Sequence, residues 1–547
     1  MTAFFASLRR EPLKWVGLAF GTCALLALAL WQLQLVGDFR IDDAYITFSF
    51  SKNLAAGHGP VFSHGVRVEG YSNFLWMLLV VPTYLVAPEA DPYWWARGLS
   101  LLFLLAALVA VFRLVRKHAG TLAGFLACGV VLASTDVMRA AFSGLETVPF
   151  LACITLGWCA YFKRTPACWC AMAWFVAAAL MRIDGFVPLL IVIGYEFACA
   201  LSERRLRWLA FLRWVVPGVA VWALYFAWRY WYYGLPLPTT YYAKTVVTVG
   251  DPDRAYNQLW GFYRDYGLLG LLPLAVIPLF RGPRRVAWGV GLAVVLQLGY
   301  STQTGGDWMP FQRFLLPVFP LLAVLVGLGA ARWWRELRSL AWLPRIAAAG
   351  ALLAGLGFSV VRMHAASVDT PEEGGKLGNA RHTIQHTREN LLDNADLMRF
   401  VPRRPGENLV TDYAGVFSVY TDAAIIDMWG LCNADIALNG GTRGVNPVYG
   451  KSCAECYRRL NPEYFHVGIP IVRDANAFAN QRQIIQNIFL GTDIDREIDL
   501  QRKFVTGRLI EAKTGRALWF LEKRRAGLSY APRSPAPGLR IDYPFLG

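Results

Sequence analysis

Charged side chains are scarce in this 547-residue chain. Asp, Glu, Lys and Arg make up 17 % of it, against about 25 % in ordinary soluble domains. Acids are the scarcer sign, 38 against 54 Lys and Arg. This poverty excludes a disordered protein, which depends on charge and polarity, and an ordinary cytosolic enzyme. A collagen-like period, an internal repeat and any long low-complexity tract are also missing. What fills the sequence is apolar: 56 % of residues are hydrophobic and the mean hydropathy is +0.36. The net charge of +16 would suggest nucleic acid in a soluble protein. In a membrane protein it reflects Lys and Arg in cytoplasmic loops and attraction to anionic lipid, so no nucleic-acid partner is expected. The 21 Trp and 23 Tyr suit interfacial belts.

A spanning helix needs about 20 mostly apolar residues. Residues 15–35 are the first such run, after Arg9, Arg10 and Lys14. A signal peptide competes for this segment, but the run is too long and no small-residue cleavage site follows. Further runs at 94–115, 122–135, 147–161, 167–181, 186–201, 211–228, 268–280, 286–300, 314–331 and 347–361 bring the expected count to about eleven. With the N-terminus in the cytoplasm, the gaps on that side are 113–118, 163–164, 204–207, 281–285 and 332–345, and every one is rich in Lys and Arg. The outer gaps, 37–91, 136–146, 182–185, 230–266 and 301–313, carry Asp, Gly, Tyr and Trp instead. That alternation obeys the positive-inside rule. Counting 71–87 as a span would invert it, so this segment reads as an interfacial or half-inserted helix, as does 43–56.

The apolar runs end after Val361. The expected architecture is therefore a polytopic α-helical membrane domain over 1–363, with interfacial helices in its first outer loop at 37–92. A C-terminal extracytoplasmic domain over 364–547, α/β or mainly β, follows. Strand-like stretches at 423–428 and 518–521 and turn signals at 440–441 and 535–538 support the second part. Of ten cysteines, Cys432, Cys453 and Cys456 fall in it. One structural disulfide among the three is expected in an oxidising compartment. Cys453-x-x-Cys456 alone is too weak a pattern for zinc or redox chemistry.

The chemistry gathers in the outer gaps. Asp42 and Asp43 stand just beyond the first span, at the start of a helix. Helix capping explains one Asp. Two carboxylates at the lip of a hydrocarbon region repel and resist desolvation, and so point to a general base or a cation ligand. The same loop offers His58, Glu69, Tyr71 and Asn73 as polar lining. Later gaps add Glu146, Asp184, Tyr242, Asp307 and Trp308 as sugar- or acceptor-binding candidates. Arg182, Lys244 and Arg313, with Arg229 and Arg139 behind them, run against the positive-inside bias. Outer cations at span ends suit a lipid phosphate. Snorkelling, or pairing with Glu146, Asp184 and Asp307, is the plainer account of each one alone.

These residues resemble the GT-C glycosyltransferases, multi-span enzymes that take sugar from a polyprenyl-phosphate donor on the outer face. The resemblance rests on Asp42-Asp43 followed by interfacial helices. The segments 42–48, 57–59, 69–74, 143–147, 182–185, 232–244 and 305–310 with Arg313, and 426–431, are similar to mycobacterial cell-wall arabinofuranosyltransferases and type IV pilin arabinosyltransferases. Ile183 departs from the proline commoner there, and the outer domain is compact.

The resemblance implies transfer of a sugar, most simply D-arabinofuranose, to a glycan or pilin-like protein acceptor, at a bacterial inner membrane with the site facing the periplasm. Asp42 or Asp43 would take the acceptor proton while outer cations hold the leaving phosphate. The transition state would be oxocarbenium-like, and inversion and retention both stay open. No cofactor is obligatory; a divalent cation suits neighbouring carboxylates. Mannose, galactofuranose or aminoarabinose transfer, the last to lipid A, is the alternative, and a flippase or secondary transporter the remote one.

Overall fold

The computed structural model describes residues 12–163, 169–248, 252–304, 312–368, 389–440, 453–466 and 499–545. All eleven apolar runs are helical, because backbone polar groups in hydrocarbon must be satisfied within their own segment. The helices are Pro12–Val36, Pro92–Ala119, Thr121–Ala133, Thr147–Lys163, Trp169–Met181, Phe186–Ser202, Trp208–Tyr233, Leu268–Arg281, Arg284–Gln303, Phe319–Leu337 and Trp342–Val368. Among the described residues six helices are long and apolar enough to cross a membrane, or seven if one bent pair is a single span. The chain is a multi-pass membrane protein in which the eleven runs are helices, six or seven of them of full spanning length.

The bent pair departs from the sequence expectation of one run at 122–135 followed by a loop. Thr121–Ala133 and Thr135–Phe142 meet at 64°. Ser134 causes the break: its hydroxyl caps the second helix by accepting from the Val137 N–H at 3.4 Å. Residues expected in a loop, Asp136 and Arg139 among them, are therefore helical.

The described residues fall into two compact units. The first is drawn from Met1–Phe39, Arg97–Leu224 and Gly250–Ile384. Its centre is the Phe319–Leu337 helix, packed on Leu268–Arg281 and Thr121–Ala133. The window around this helix is 83 % buried, against 6 % for Val16–Val36. The first helix instead leaves Val16, Phe20, Leu26 and Leu30 exposed, as a lipid-facing helix does.

The second unit comprises Arg40–Ala96, Tyr225–Val249 and Gln385–Gly547. It holds a six-stranded mixed sheet of strands β1 (Asn408–Thr411), β2 (Ala424–Asp427), β3 (Tyr464–His466), β4 (Phe504–Glu511), β5 (Ala517–Lys523) and β6 (Leu539–Asp542). Their order is β2-β1-β3-β5-β4-β6. β2, β1 and β3 run parallel, whereas β5 pairs antiparallel with β3 and β4, and β6 with β4. The strand-like stretches at 423–428 and 518–521 lie in β2 and β5. Val410, Ile426, Phe465, Trp519 and Leu521 form the apolar core with Tyr457, and Cys453 is disulfide-bonded to Cys456. Cys432 is a buried free thiol.

The first outer loop belongs to this second unit. Its Asp42–Ala55 helix packs on Phe74–Val86 and on the short Ala414–Tyr420 helix. Residues Ala44 to Ser51 of it are all buried, a more enclosed setting than an interfacial helix. The polar residues tolerate this because they are satisfied internally. Ser51 donates to the Met77 carbonyl at 2.8 Å, and Thr47 exchanges a hydrogen bond with Asn73 at 3.1 Å.

Candidate functional site

The acidic pair opens the Asp42–Ala55 helix, where Ile41 at the N-cap offers no side-chain cap. Acids in a first turn are favoured by the helix dipole. The Asp42 carboxylate, however, serves a different helix. Its two oxygens accept from the backbone N–H groups of Gly415 (3.0 Å) and Val416 (2.7 Å). These N–H groups open the Ala414–Tyr420 helix, which follows the carboxyl end of β1. Asp43, by contrast, makes no hydrogen bond or ion pair among the described residues, and its charge is felt by Asp42, Asp427 and Cys432.

Burial raises Asp42 to about 8, against the pull of the Val416 and Gly415 N–H groups; the charges of Asp43 and Asp412 push the same way as burial. Asp427, at the end of β2, is raised by burial to about 6. It accepts from the Trp429 N–H at 3.0 Å and the Cys432 N–H at 2.7 Å, closing the turn after β2. The two turns at the carboxyl ends of parallel β1 and β2 thus supply Asp412, Asp427 and the Asp42 anchor. That edge is where open α/β sheets present ligand-binding groups.

A pH dependence follows from Asp42. Folded Asp42 holds its proton up to about 8, against 3.8 for the unfolded group. The folded state therefore binds more protons between these values and loses stability through this group as pH rises from about 4 to about 8. Asp42→Asn should flatten that slope. Thermal unfolding of both proteins across this range checks it, and identical slopes would count against the raised Asp42 pKa.

The rest of the loop is held by the turn after β2. Glu69 and Arg229 are both buried, 2 % and 1 % exposed, and form a two-pronged ion pair with Arg229 Nε donating to Glu69 Oε1 at 3.0 Å. Burial raises the Glu69 pKa while Arg229 pulls it back. The Thr239 hydroxyl lies 2.8 Å from the Glu69 carbonyl and 2.5 Å from that of Leu431. A Cβ on Gly70 would strike Cys432 Sγ and sit 3.1 Å from the Leu431 carbonyl, so only glycine allows this approach. Tyr71 meets the Tyr233 hydroxyl at 3.0 Å, and Tyr233 donates to the Pro60 carbonyl at 2.8 Å. Glu69, Tyr71, Asn73 and Arg229 therefore build the loop. His58 is exposed and Tyr242 is half-buried. Lys244, on the Thr239–Thr248 helix, exerts its charge on Cys432.

The remaining candidates lie in the first unit. Arg182 pairs with Asp184 through Nε at 2.9 Å and with Glu146 through Nη1 at 3.2 Å. Its guanidinium stands 5.0 Å from the Phe314 ring, and Arg313 stands 5.3 Å from the same ring, so two cations lie against one aromatic ring. Arg139 pairs with Asp136 at 3.3 Å, which also accepts from the Tyr266 hydroxyl at 3.0 Å. Asp307 and Trp308, with the rest of 305–310, lie outside the described residues. Among the described residues, no three His, Cys, Asp or Glu side chains stand where they could jointly hold a metal ion.

Sequence reasoning missed Gly415, Val416 and Asp412, which carry no local signal of a bond to residue 42. Asp427 lies in the segment 426–431, whose sequence alone gives it no role.

No protein-family model matches the chain. It is 26 % identical over 362 residues to a terminal beta-(1->2)-arabinofuranosyltransferase of Corynebacterium glutamicum, a match covering 55 % of this chain and 50 % of that protein. The protein of the same name from Mycobacterium tuberculosis is 28 % identical over 343 residues, covering 54 % and 52 %. The chain thus spans about half the length of these relatives. Among solved structures it is similar to ArnT from Cupriavidus metallidurans, crystallised with undecaprenyl phosphate. The TM-score is 0.57 and the identity 13 %, over 95 % of this chain and 99 % of that one. The chain has the GT-C fold that ArnT shares and, over rather more than half its length, is a sequence relative of terminal arabinofuranosyltransferases.

Proposed function

We propose that this protein is a membrane glycosyltransferase that moves D-arabinofuranose from a polyprenyl-phosphate donor to a glycan or protein acceptor on the outer face of the membrane. In this reading it is a protein of the bacterial inner membrane, with the shorter apolar helices completing about eleven crossings and 364–547 facing the periplasm. The observation that carries the reaction is the divided environment of the acidic pair. Both carboxyl oxygens of Asp42 are engaged by the Gly415 and Val416 N–H groups. Asp43 stands beside it without a bond among the described residues and is the carboxylate left to act.

Asp43 takes the acceptor hydroxyl proton as that oxygen bonds to the anomeric carbon. The bond from the anomeric carbon to the phosphate oxygen breaks, and the lipid phosphate leaves with the electron pair. Cations stabilise that developing charge. Lys244, a cation of the same unit as Asp43, is proposed to hold the phosphate.

The test is incubation of the purified protein in nanodiscs with labelled polyprenyl-phosphate arabinofuranose and an arabinan acceptor, scoring transfer and donor hydrolysis. Turnover only with a mannosyl or galactofuranosyl donor would move the reading to another sugar. No turnover with any lipid-phosphate sugar would overturn it. Charge-assisted hydrogen bonds contribute roughly 1.5–3 kcal/mol each. Lys244→Ala should therefore weaken donor binding by about ten-fold or more, since about 1.4 kcal/mol is a decade. Affinity for neutral polyprenol should barely move. Unchanged donor affinity in this variant would send the search for the phosphate site elsewhere.

A further inference from the structure

We propose that Gly415 is a positioning residue: it lets the turn after β1 settle on the Asp42 main chain, so that the Gly415 and Val416 N–H groups fix Asp42 and thereby aim Asp43. The proposal rests on the reading of Asp43 as the reacting carboxylate.

The argument begins with space. A Cβ built on Gly415 would fall on the carbonyl oxygen of Asp42, far inside contact distance, and 2.9 Å from the Ile46 nitrogen. Both obstacles are backbone atoms of the Asp42–Ala55 helix. Neither can swing aside as the tip of a flexible side chain does. Any side chain at 415 must push the two helices apart.

The second step is hydrogen bonding. Gly415 and Val416 are among the first residues of the Ala414–Tyr420 helix, whose N-cap residue Tyr413 makes no side-chain cap. Their N–H groups are therefore orphans of the helix end, and the Asp42 carboxylate satisfies both. The arrangement is a helix cap supplied by a residue 373 positions away in sequence.

The third step is geometry at Asp43. Adjacent residues of one helical turn share a rigid backbone, so clamping Asp42 fixes the direction in which Asp43 leaves the helix. A carboxylate acting as base must stand within about 2.6–3.2 Å of the proton it removes. Displacement by about 1 Å costs on the order of 100-fold in rate. Pushing the turn away from Asp42 is a displacement of that size.

Gly415→Ala should keep donor affinity and acceptor KM near wild type and lower kcat at least ten-fold. A merely structural glycine would lower the yield of folded protein without this split. Coupling supplies the sharper readout. If Gly415 acts through Asp42, Gly415→Ala placed in an Asp42→Asn background should cost little more than Asp42→Asn alone. Multiplying effects, or a wild-type kcat for Gly415→Ala, would overturn the proposal.

Amide hydrogen exchange across 412–420 tests the clamp without any turnover. Asp42→Asn presents an NH2 group to one of the two N–H donors, so exchange at 415–416 should rise at least ten-fold. This measurement decides the matter even if Gly415→Ala fails to fold, because unchanged exchange would show that the clamp is absent. Raised exchange together with an active Asp43→Asn enzyme would leave the clamp standing and refute the Asp43 assignment instead.

Discussion

Asp43→Asn is expected to lower sugar transfer by about 10²–10⁴-fold, the contribution of a positioned general base. Donor binding and folding should survive, because this carboxylate makes no hydrogen bond or ion pair among the described residues. Asn keeps the shape and removes the basicity, so kcat should carry the loss. Asp42→Asn should fall between this variant and wild type, because it loosens a clamp and leaves the base in place. A folded Asp43→Asn protein with near-normal kcat, beside an inactive Asp42→Asn, would transfer the role of base to Asp42. Single-turnover assays at saturating donor separate this outcome from a binding defect.

The largest effect on stability should come from Glu69→Ala. It leaves Arg229 charged, buried and without its partner carboxylate. Breaking a buried pair by removing one member costs about 3–5 kcal/mol. Little of the variant should survive extraction as folded protein. Replacing both residues by leucine removes the charges together and should recover most of the lost stability, since buried pairs are often no better than apolar substitutes. Glu69→Ala would then resemble Arg229→Ala, and the double variant would exceed either one. If the double variant were the least stable of the three, the loop would depend on the polar contacts themselves, among them the Arg229 donation to the Pro236 carbonyl at 2.5 Å.

The helices were largely legible in the sequence because a lipid environment leaves apolar runs few options, and strands at 423–428 and 518–521 showed by their β-branched and aromatic content. The bend at Ser134 could have been found from a Ser-Thr-Asp triplet inside an apolar run, an N-cap signal that hydropathy outweighed. The internal partners of the Asp42–Ala55 helix were not legible for another reason. Its Ser and Thr residues resemble a wetted face, yet partners from Phe74–Val86 and from Asn73 satisfy them in the interior.

The acidic pair was legible as a pair, but its asymmetry was not. Nothing in the local sequence tells Asp42 from Asp43. Only the Gly415 and Val416 N–H groups, brought in from far along the chain, do so. The cations show the same limit. Arg182 and Arg229 stood out by their position against the charge bias, while the carboxylates that occupy them, Asp184 and Glu146 for one and Glu69 for the other, decide how much of that charge is left for a ligand.

The clamp on Asp42 also sets a timetable for biogenesis. Its two halves are separated by 373 residues, and synthesis proceeds at about 5–20 residues per second. The acidic helix therefore leaves the ribosome roughly 20–75 seconds before the turn that will hold it exists. During that interval Ala44 to Ser51, buried in the finished protein, have no sheet domain to lie against. A protein that pauses or terminates before residue 415 would carry the acidic pair on an unanchored helix, and the proposed activity would wait until the last quarter of the chain arrived.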